Sequence, residues 1–197
     1  MKRFLFACLT TASLFTIACQ KDAAEQPQPA VPAQEAALNM TFRYNSPDET
    51  RGINHLADRP GGQLLPDRLV LKLSNSQTRP TDQLEFTIAK SRQKPGLAGT
   101  YTLASQPDPS AGDVQVSYLR SSFTGNAIGH LVTGNSHRLT GSVVISSYDA
   151  ARNLISGSYS VEAAGSKDPF VFLTSGTDNH RSGDLRVYGT FTEVPLR

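Results

Sequence analysis

The sequence predicts an all-β domain, an antiparallel β-sandwich or a partly open up-and-down β-barrel of roughly eight to ten short strands. Three observations lead there. Apolar residues recur with a period near two, turn-forming clusters interrupt them at short intervals, and no segment of helical length carries an i, i+3, i+4, i+7 stripe.

In chain order, Leu69, Leu71 and Leu73 alternate with Val70 and Lys72, and Leu84, Phe86 and Ile88 with Glu85 and Thr87. Val114, Val116 and Tyr118 follow the same rule, as do Leu139, Val143 and Ile145 with Gly141, and Leu185, Val187 and Phe191 with Gly189. Each run reads as a half-buried strand, apolar side inwards. Breakers lie between them: Arg59-Pro-Gly-Gly62, Lys94-Pro-Gly96, the Pro107 to Gly112 cluster, Thr133-Gly-Asn135 and Ser182-Gly-Asp184. Residues 142–149 and 153–162 form a hairpin across Ala150-Ala-Arg152, since Asp149 and Asn153 both suit a tight connection. Ile155, Tyr159 and Val161 then share a face with Gly157. Gly157 and Gly189 are glycines in mid-strand, where curvature of the sheet or a close approach is expected. Residues 45–66, with Arg51, His55, Asp58, Arg59, Gly61 and Gly62, read as a long loop and a candidate binding surface.

The runs Thr140-Gly-Ser-Val-Val-Ile-Ser-Ser-Tyr-Asp149, Asn153-Leu-Ile-Ser-Gly-Ser-Tyr-Ser160 and Gly189-Thr-Phe-Thr-Glu-Val-Pro195 resemble a family of uncharacterised lipoproteins of the Bacteroidota. In that family a TGxVxIxxYD…N.ISGxFxF hairpin precedes a last GxFxxVP strand, and Gly99-Thr-Tyr-Thr-Leu103 matches its GTYTL element. The resemblance covers about half the domain, through strand and turn patterns. It implies an all-β fold and a lipid anchor, and it carries no catalytic residue.

The amino terminus agrees with that implication. Lys2 and Arg3 precede fifteen residues, 4–18, without charge, and Ala18 stands directly before Cys19. This is the pattern of a lipoprotein leader cut at a cysteine. As a helix the apolar run would reach about 22 Å, short of a hydrocarbon core of about 30 Å. Thr16 departs from the aliphatic residue usual three places before the cysteine, and Cys8 has too short an apolar run before it to serve instead. The expected organisation is a signal peptide over 1–18, a lipidated flexible Pro/Ala/Gln-rich tether over 19–38 and one all-β domain over 39–197. A short helical turn fits residues 33–38. Acyl chains on Cys19 make the lipid bilayer the first partner, at about 0.8 kcal/mol per buried CH₂. Gln20 in place of aspartate points to the outer membrane, on its periplasmic side or at the cell surface.

Removing 18 of the 197 residues leaves 179, with no cysteine pair to oxidise. Losing Lys2 and Arg3 leaves seventeen basic residues against seventeen acidic ones, so the basic stripe that nucleic-acid binding needs is absent. His130 and His137 flank a turn without further ligands at zinc spacing, and they read with His55 and His180 as exposed loop histidines. Asp178-Asn-His-Arg-Ser-Gly-Asp184 reads as a polar turn, lacking the spacing of a calcium loop. There is no Gly-x-Ser-x-Gly elbow, phosphate loop or dinucleotide fingerprint. The aromatic residues fall mostly on strands and are assigned to the core, and the lack of tryptophan removes the usual residue for stacking on a sugar ring. No catalytic, cofactor-binding or metal-ligating residue is assigned. The expectation is a non-enzymatic envelope module that binds a partner, with a glycan or peptide hydrolase and a carrier of a small apolar ligand as alternatives.

Overall fold

A strand that is apolar at every second residue must cover one face, and the computed structural model shows how these strands do it. It describes residues 34–46, 48–58, 60–76, 81–121, 130–171 and 181–197. Cys19, the leader, most of the tether and Asp178, Asn179 and His180 lie outside the described residues.

Six strands, β1 (Glu35–Tyr44), β2 (Thr50–Leu56), β6 (Gly99–Thr102), β9 (Leu139–Asp149), β10 (Leu154–Lys167) and β11 (Ser182–Pro195), form one antiparallel sheet in the order β2-β1-β11-β10-β9-β6. A second sheet has the order β3-β4-β5-β7-β8, from β3 (Gly61–Leu64), β4 (Arg68–Ser74), β5 (Asp82–Ala89), β7 (Val114–Arg120) and β8 (His130–Thr133). The two sheets face each other as a sandwich and do not close into a barrel. The chain changes sheet after β2, β5, β6 and β8, so the up-and-down order is not adopted. Two corners are stitched by backbone bonds. Gly62 bridges Leu196 in parallel, with Arg197 N–H donating to Gly62 O at 3.0 Å; Leu103 bridges Val114, with Ala104 N–H donating to Val114 O at 2.7 Å.

The alternation sets the core. Leu69, Leu71, Leu73, Leu84, Phe86, Ile88, Val114, Val116 and Tyr118 from the smaller sheet meet Leu139, Val143, Ile145, Ile155, Tyr159, Val161, Leu185, Val187 and Phe191 from the larger, all buried. Each large side chain removed from water contributes about 1.5–3 kcal/mol.

Two expectations are corrected. The described residues hold eleven strands, more than the eight to ten expected, because residues 45–66 contain β2 and β3 in place of a loop. Both are edge strands with one neighbour, and β2 turns only Ile53 and His55 partly inwards among its exposed residues, so neither carries a strong apolar alternation. The domain also begins earlier than residue 39. Glu35 pairs with Thr192 and Ala37 with Leu56, and Ala36 and Leu38 are buried, so 35–38 is strand rather than tether or helical turn. Alanines gave that stretch too little apolar bulk to register as a strand.

The hairpin of β9 and β10 forms as expected, with Asp149 opposite Leu154. The two mid-strand glycines answer to different causes. At Gly157 the register of β10 shifts against both neighbours, and an added Cβ would stand 2.0 Å from Val144 O; this is a bulge that bends the strand. At Gly189 the missing side chain makes room for Tyr159, whose hydroxyl donates to Ala37 O at 2.8 Å.

Candidate binding groove

Outward residues of one sheet are decided by the same parity that fills the core. With Leu71, Leu84, Val116 and Val132 inwards, Lys72, Glu85, Ser117 and Leu131 must point outwards. The register sets these in rows across the five-stranded sheet. One row runs Ser74, Gln83, Leu119, Leu131; the next runs Gly61, Lys72, Glu85, Ser117, Thr133; a third begins Gln63, Val70, Thr87, Gln115. The rows floor an open groove of about 870 Å³, walled at the β3 end by Gln34, Pro60, Pro195 and Arg197. A smaller hollow of about 170 Å³ continues it, sharing Glu85 and Ser117 and reaching Gln115, Thr133 and Asn135.

The floor has three zones. Leu119 and Leu131 are register partners, so their side chains stand together, and Leu131 is 54% exposed. At the centre Lys72 Nζ pairs with Glu85 Oε2 at 3.0 Å. The far end is polar, with Gln34, Gln63 and Arg197. None of the described residues lining the groove is aromatic.

A second concentration of polar chemistry lies where the two sheets meet at the ends of β1, β5, β7 and β10. Asp82 is buried and accepts from Tyr118 Oη (2.5 Å) and from Arg120 Nη1 (2.9 and 2.7 Å), with His55 Nε2 at 3.4 Å. Arg120 Nε donates to Pro169 O, and its guanidinium lies 5.0 Å from the centre of the Phe170 ring. Beside it the buried Asp168 accepts from Tyr44 Oη at 2.8 Å and from Phe170 N at 2.8 Å. Arg181 stacks 3.5 Å over the Tyr44 ring and shares Glu49 with Arg51. Burial, and then the Asp82 carboxylate, push the Tyr118 phenol far up; burial and Asp168 raise Tyr44 in the same way. Hydrogen bonds from Arg51 and Arg181 hold Glu49 below the usual carboxylate range. Both phenols therefore stay protonated donors, and both buried carboxylates are committed to internal partners. The arrangement ties loops to the sandwich and leaves neither carboxylate facing the groove.

Two of the histidines lie in strands in place of the loop positions expected, while His137 keeps a turn position and His180 is outside the described residues. His55 sits in β2 against Asp82, and His130 Nε2 opens β8 within 2.9 Å of Val171 O. His137, in the turn after β8, pairs Nδ1 with Ser136 Oγ at 2.8 Å. Among the described residues no three His, Cys, Asp or Glu side chains come together as a metal site. Of the described residues in 45–66, the range chosen as a binding surface, only Pro60, Gly61, Gly62 and Gln63 reach the groove; Arg59 lies outside the described residues. The rest of the groove was missed because its residues look like an ordinary solvated face. One signal was present: Leu119 and Leu131 stand next to the inward Tyr118 and Val132, apolar residues on the polar phase of their strands.

No protein-family model matches the chain, and no curated protein or solved structure matches it either.

Proposed function

We propose that this chain is an envelope lipoprotein, held at the outer membrane by acyl chains on Cys19, and that its sandwich is a non-enzymatic binding or assembly module. The groove across the outer face of the five-stranded sheet is its binding surface. One observation carries this reading: the space between the sheets is filled by Phe42, Phe86, Tyr101, Tyr118 and Phe191, while the outer face holds a hollow of about 870 Å³. A filled core argues against an apolar ligand carried inside. Glu85, the carboxylate on the groove floor, is paired to Lys72 with no second side-chain carboxylate beside it among the described lining residues, which argues against a two-carboxylate hydrolase.

Two measurements test this. A photo-crosslinking residue at Leu131 in growing cells is expected to give adducts with an envelope component, whereas one at the exposed Thr190 of the larger sheet is not. Equal labelling from both positions, or none from Leu131, defeats the groove. Mass spectrometry of the mature amino terminus is expected to find a diacylglyceryl thioether on Cys19, and a bare thiol there defeats the anchor.

A further inference from the structure

We propose that β2 is a pairing edge at which two copies of this chain join, antiparallel about a two-fold axis through Ile53, so that the six-stranded sheet of one copy continues into that of the next. This stands apart from the groove, which lies on the other sheet.

Hydrogen-bond parity sets which backbone groups are free. Ala57 N–H donates to Ala36 O at 2.7 Å and Tyr44 N–H to Glu49 O at 2.8 Å, and the register of β2 against β1 runs without a shift between them. In an antiparallel ladder alternate residues bond one neighbour. Arg51, Ile53 and His55 therefore bond β1, and the N–H and C=O groups of Thr50, Gly52, Asn54 and Leu56 point away from it. None of the described residues bonds these outward groups. The next N–H in that phase, at Asp58, donates to Ser74 O at 2.8 Å and bounds the free run.

Among the described residues the other three sheet edges are covered or short. Along β3, Arg197 N–H donates to Gly62 O and Leu64 N–H to Arg197 O at 3.3 Å. Beside β6, Thr100 O accepts from Lys94 Nζ and Thr102 O from Asp113 N–H at 2.9 Å. β8 has four residues, and Thr133 O at its end accepts from the N–H groups of Ser136 and His137. β2 has seven residues and none of the lysines, prolines or bulges that keep sheet edges from pairing.

The spacing of the free residues selects a second copy as the occupant. An axis through Ile53 sets Thr50 opposite the partner's Leu56 and Gly52 opposite the partner's Asn54, so every outward group from Thr50 to Leu56 meets its complement. A shift by two residues leaves one end unmatched. Such self-complementarity is what a two-fold interface requires. On the inner face Ile53, half-buried and packed against the core, meets the partner's Ile53 in a close, non-hydrogen-bonded pair. On the outer face Leu56, 74% exposed, gains the methyl group of the partner's Thr50. Arg51 comes opposite the partner's His55, and each already faces a carboxylate of its own copy, Glu49 at 3.0 Å and Asp82 at 3.4 Å.

The test is disulfide crosslinking of the full-length protein in membranes of the cells that make it, oxidised with copper phenanthroline and measured against the parent chain. Ile53→Cys is expected to give a covalent homodimer, because its pair sets the Cα atoms about 4.5 Å apart, within disulfide reach. Thr50→Cys alone should give at least about tenfold less, since its twin would lie about 20 Å along the strand. Thr50→Cys combined with Leu56→Cys should restore the dimer, and this exposed pair stands in for Ile53→Cys should that variant misfold. Asn54→Pro removes an N–H that faces away from β1, so the ladder within each copy is kept while the Ile53→Cys dimer is lost. No homodimer from a folded Ile53→Cys overturns the inference, as does one equalled by Thr50→Cys alone or untouched by Asn54→Pro. An Ile53→Cys adduct whose mass shows a different protein overturns the second copy as the occupant.

Discussion

Gly189→Ala is the substitution that most directly tests how the larger sheet is held together. β11 passes between β1 and β10, and at Gly189 three groups converge. A Cβ there would lie 1.9 Å from Ala37 O and 2.9 Å from Tyr159 Oη, so Ala37 is about 1.5 Å closer than ordinary contact allows. The backbone of β1 has to retreat, and the bond from Tyr159 to Ala37 O at 2.8 Å breaks with it. Overpacking costs about 1–3 kcal/mol and an orphaned buried carbonyl about 1–3 kcal/mol more, so the expected loss is about 2–6 kcal/mol. Tyr159→Phe removes only the bond and should cost about 1–3 kcal/mol. Burial pushes the Tyr159 phenol well above its ordinary range, so that donor persists through neutral and alkaline solution. Urea unfolding followed by tyrosine fluorescence reads both changes, since the chain has six tyrosines and no tryptophan. With a slope of about 1–3 kcal/mol per molar, Gly189→Ala should move the midpoint down by roughly 1 M or more. The two changes share one bond, so the double variant should be less destabilised than the sum, by about 0.5–3 kcal/mol. A Gly189→Ala protein within about 0.5 kcal/mol of the parent, or strict additivity with Tyr159→Phe, refutes the account.

Asp82→Ala strands Arg120 and the Tyr118 hydroxyl and should cost about 3–5 kcal/mol in the same assay, whereas Asp82→Leu with Arg120→Met should recover most of that loss. A pair of variants equally unstable would show that the site needs the ion pair itself and that a stranded charge is not the source of the loss. The Thr102 backbone N–H holds the Asp113 carboxylate below its ordinary value. A depressed folded-state value means that stability is present above the unfolded value and lost as pH falls through the folded one. Asp113→Asn should therefore lower the urea midpoint at neutral pH and match the parent in strongly acid solution; a constant difference across that range contradicts the linkage. Asn153 closes the β9–β10 turn at φ 52° and its side chain accepts from Tyr148 Oη at 2.9 Å. Asn153→Val should cost at least about 1–2 kcal/mol and Asn153→Gly much less, as read by thermal unfolding.

The hairpin residues explain why strand and turn patterns can be legible while an activity is not. Asp149 accepts from the N–H groups of Ala151 and Arg152, Arg152 reaches Glu193 at 3.2 Å, and Leu196 N–H donates to Asn153 O. The Tyr-Asp and Asn residues that carry the resemblance thus work on a turn and on its tie to the last strand. Such residues report local geometry, which is short-range and written in neighbouring positions.

Period-two alternation determined the fold class, the inward residues of most strands and the β9–β10 hairpin, because side-chain direction in a strand depends only on parity. The basic, apolar and cysteine spacing of the first nineteen residues is all that the proposed anchor rests on, since those residues lie outside the described ones. Tertiary structure decided the rest. Edge strands β2 and β3 and the first turn of β1 draw their order from neighbours far along the chain, such as Thr192 for Glu35. The choice of sandwich over barrel lies in the order of the strands, which parity does not encode. The groove belongs to the same class: Gln83, Leu119 and Leu131 come from three strands, and only the register brings them into one row.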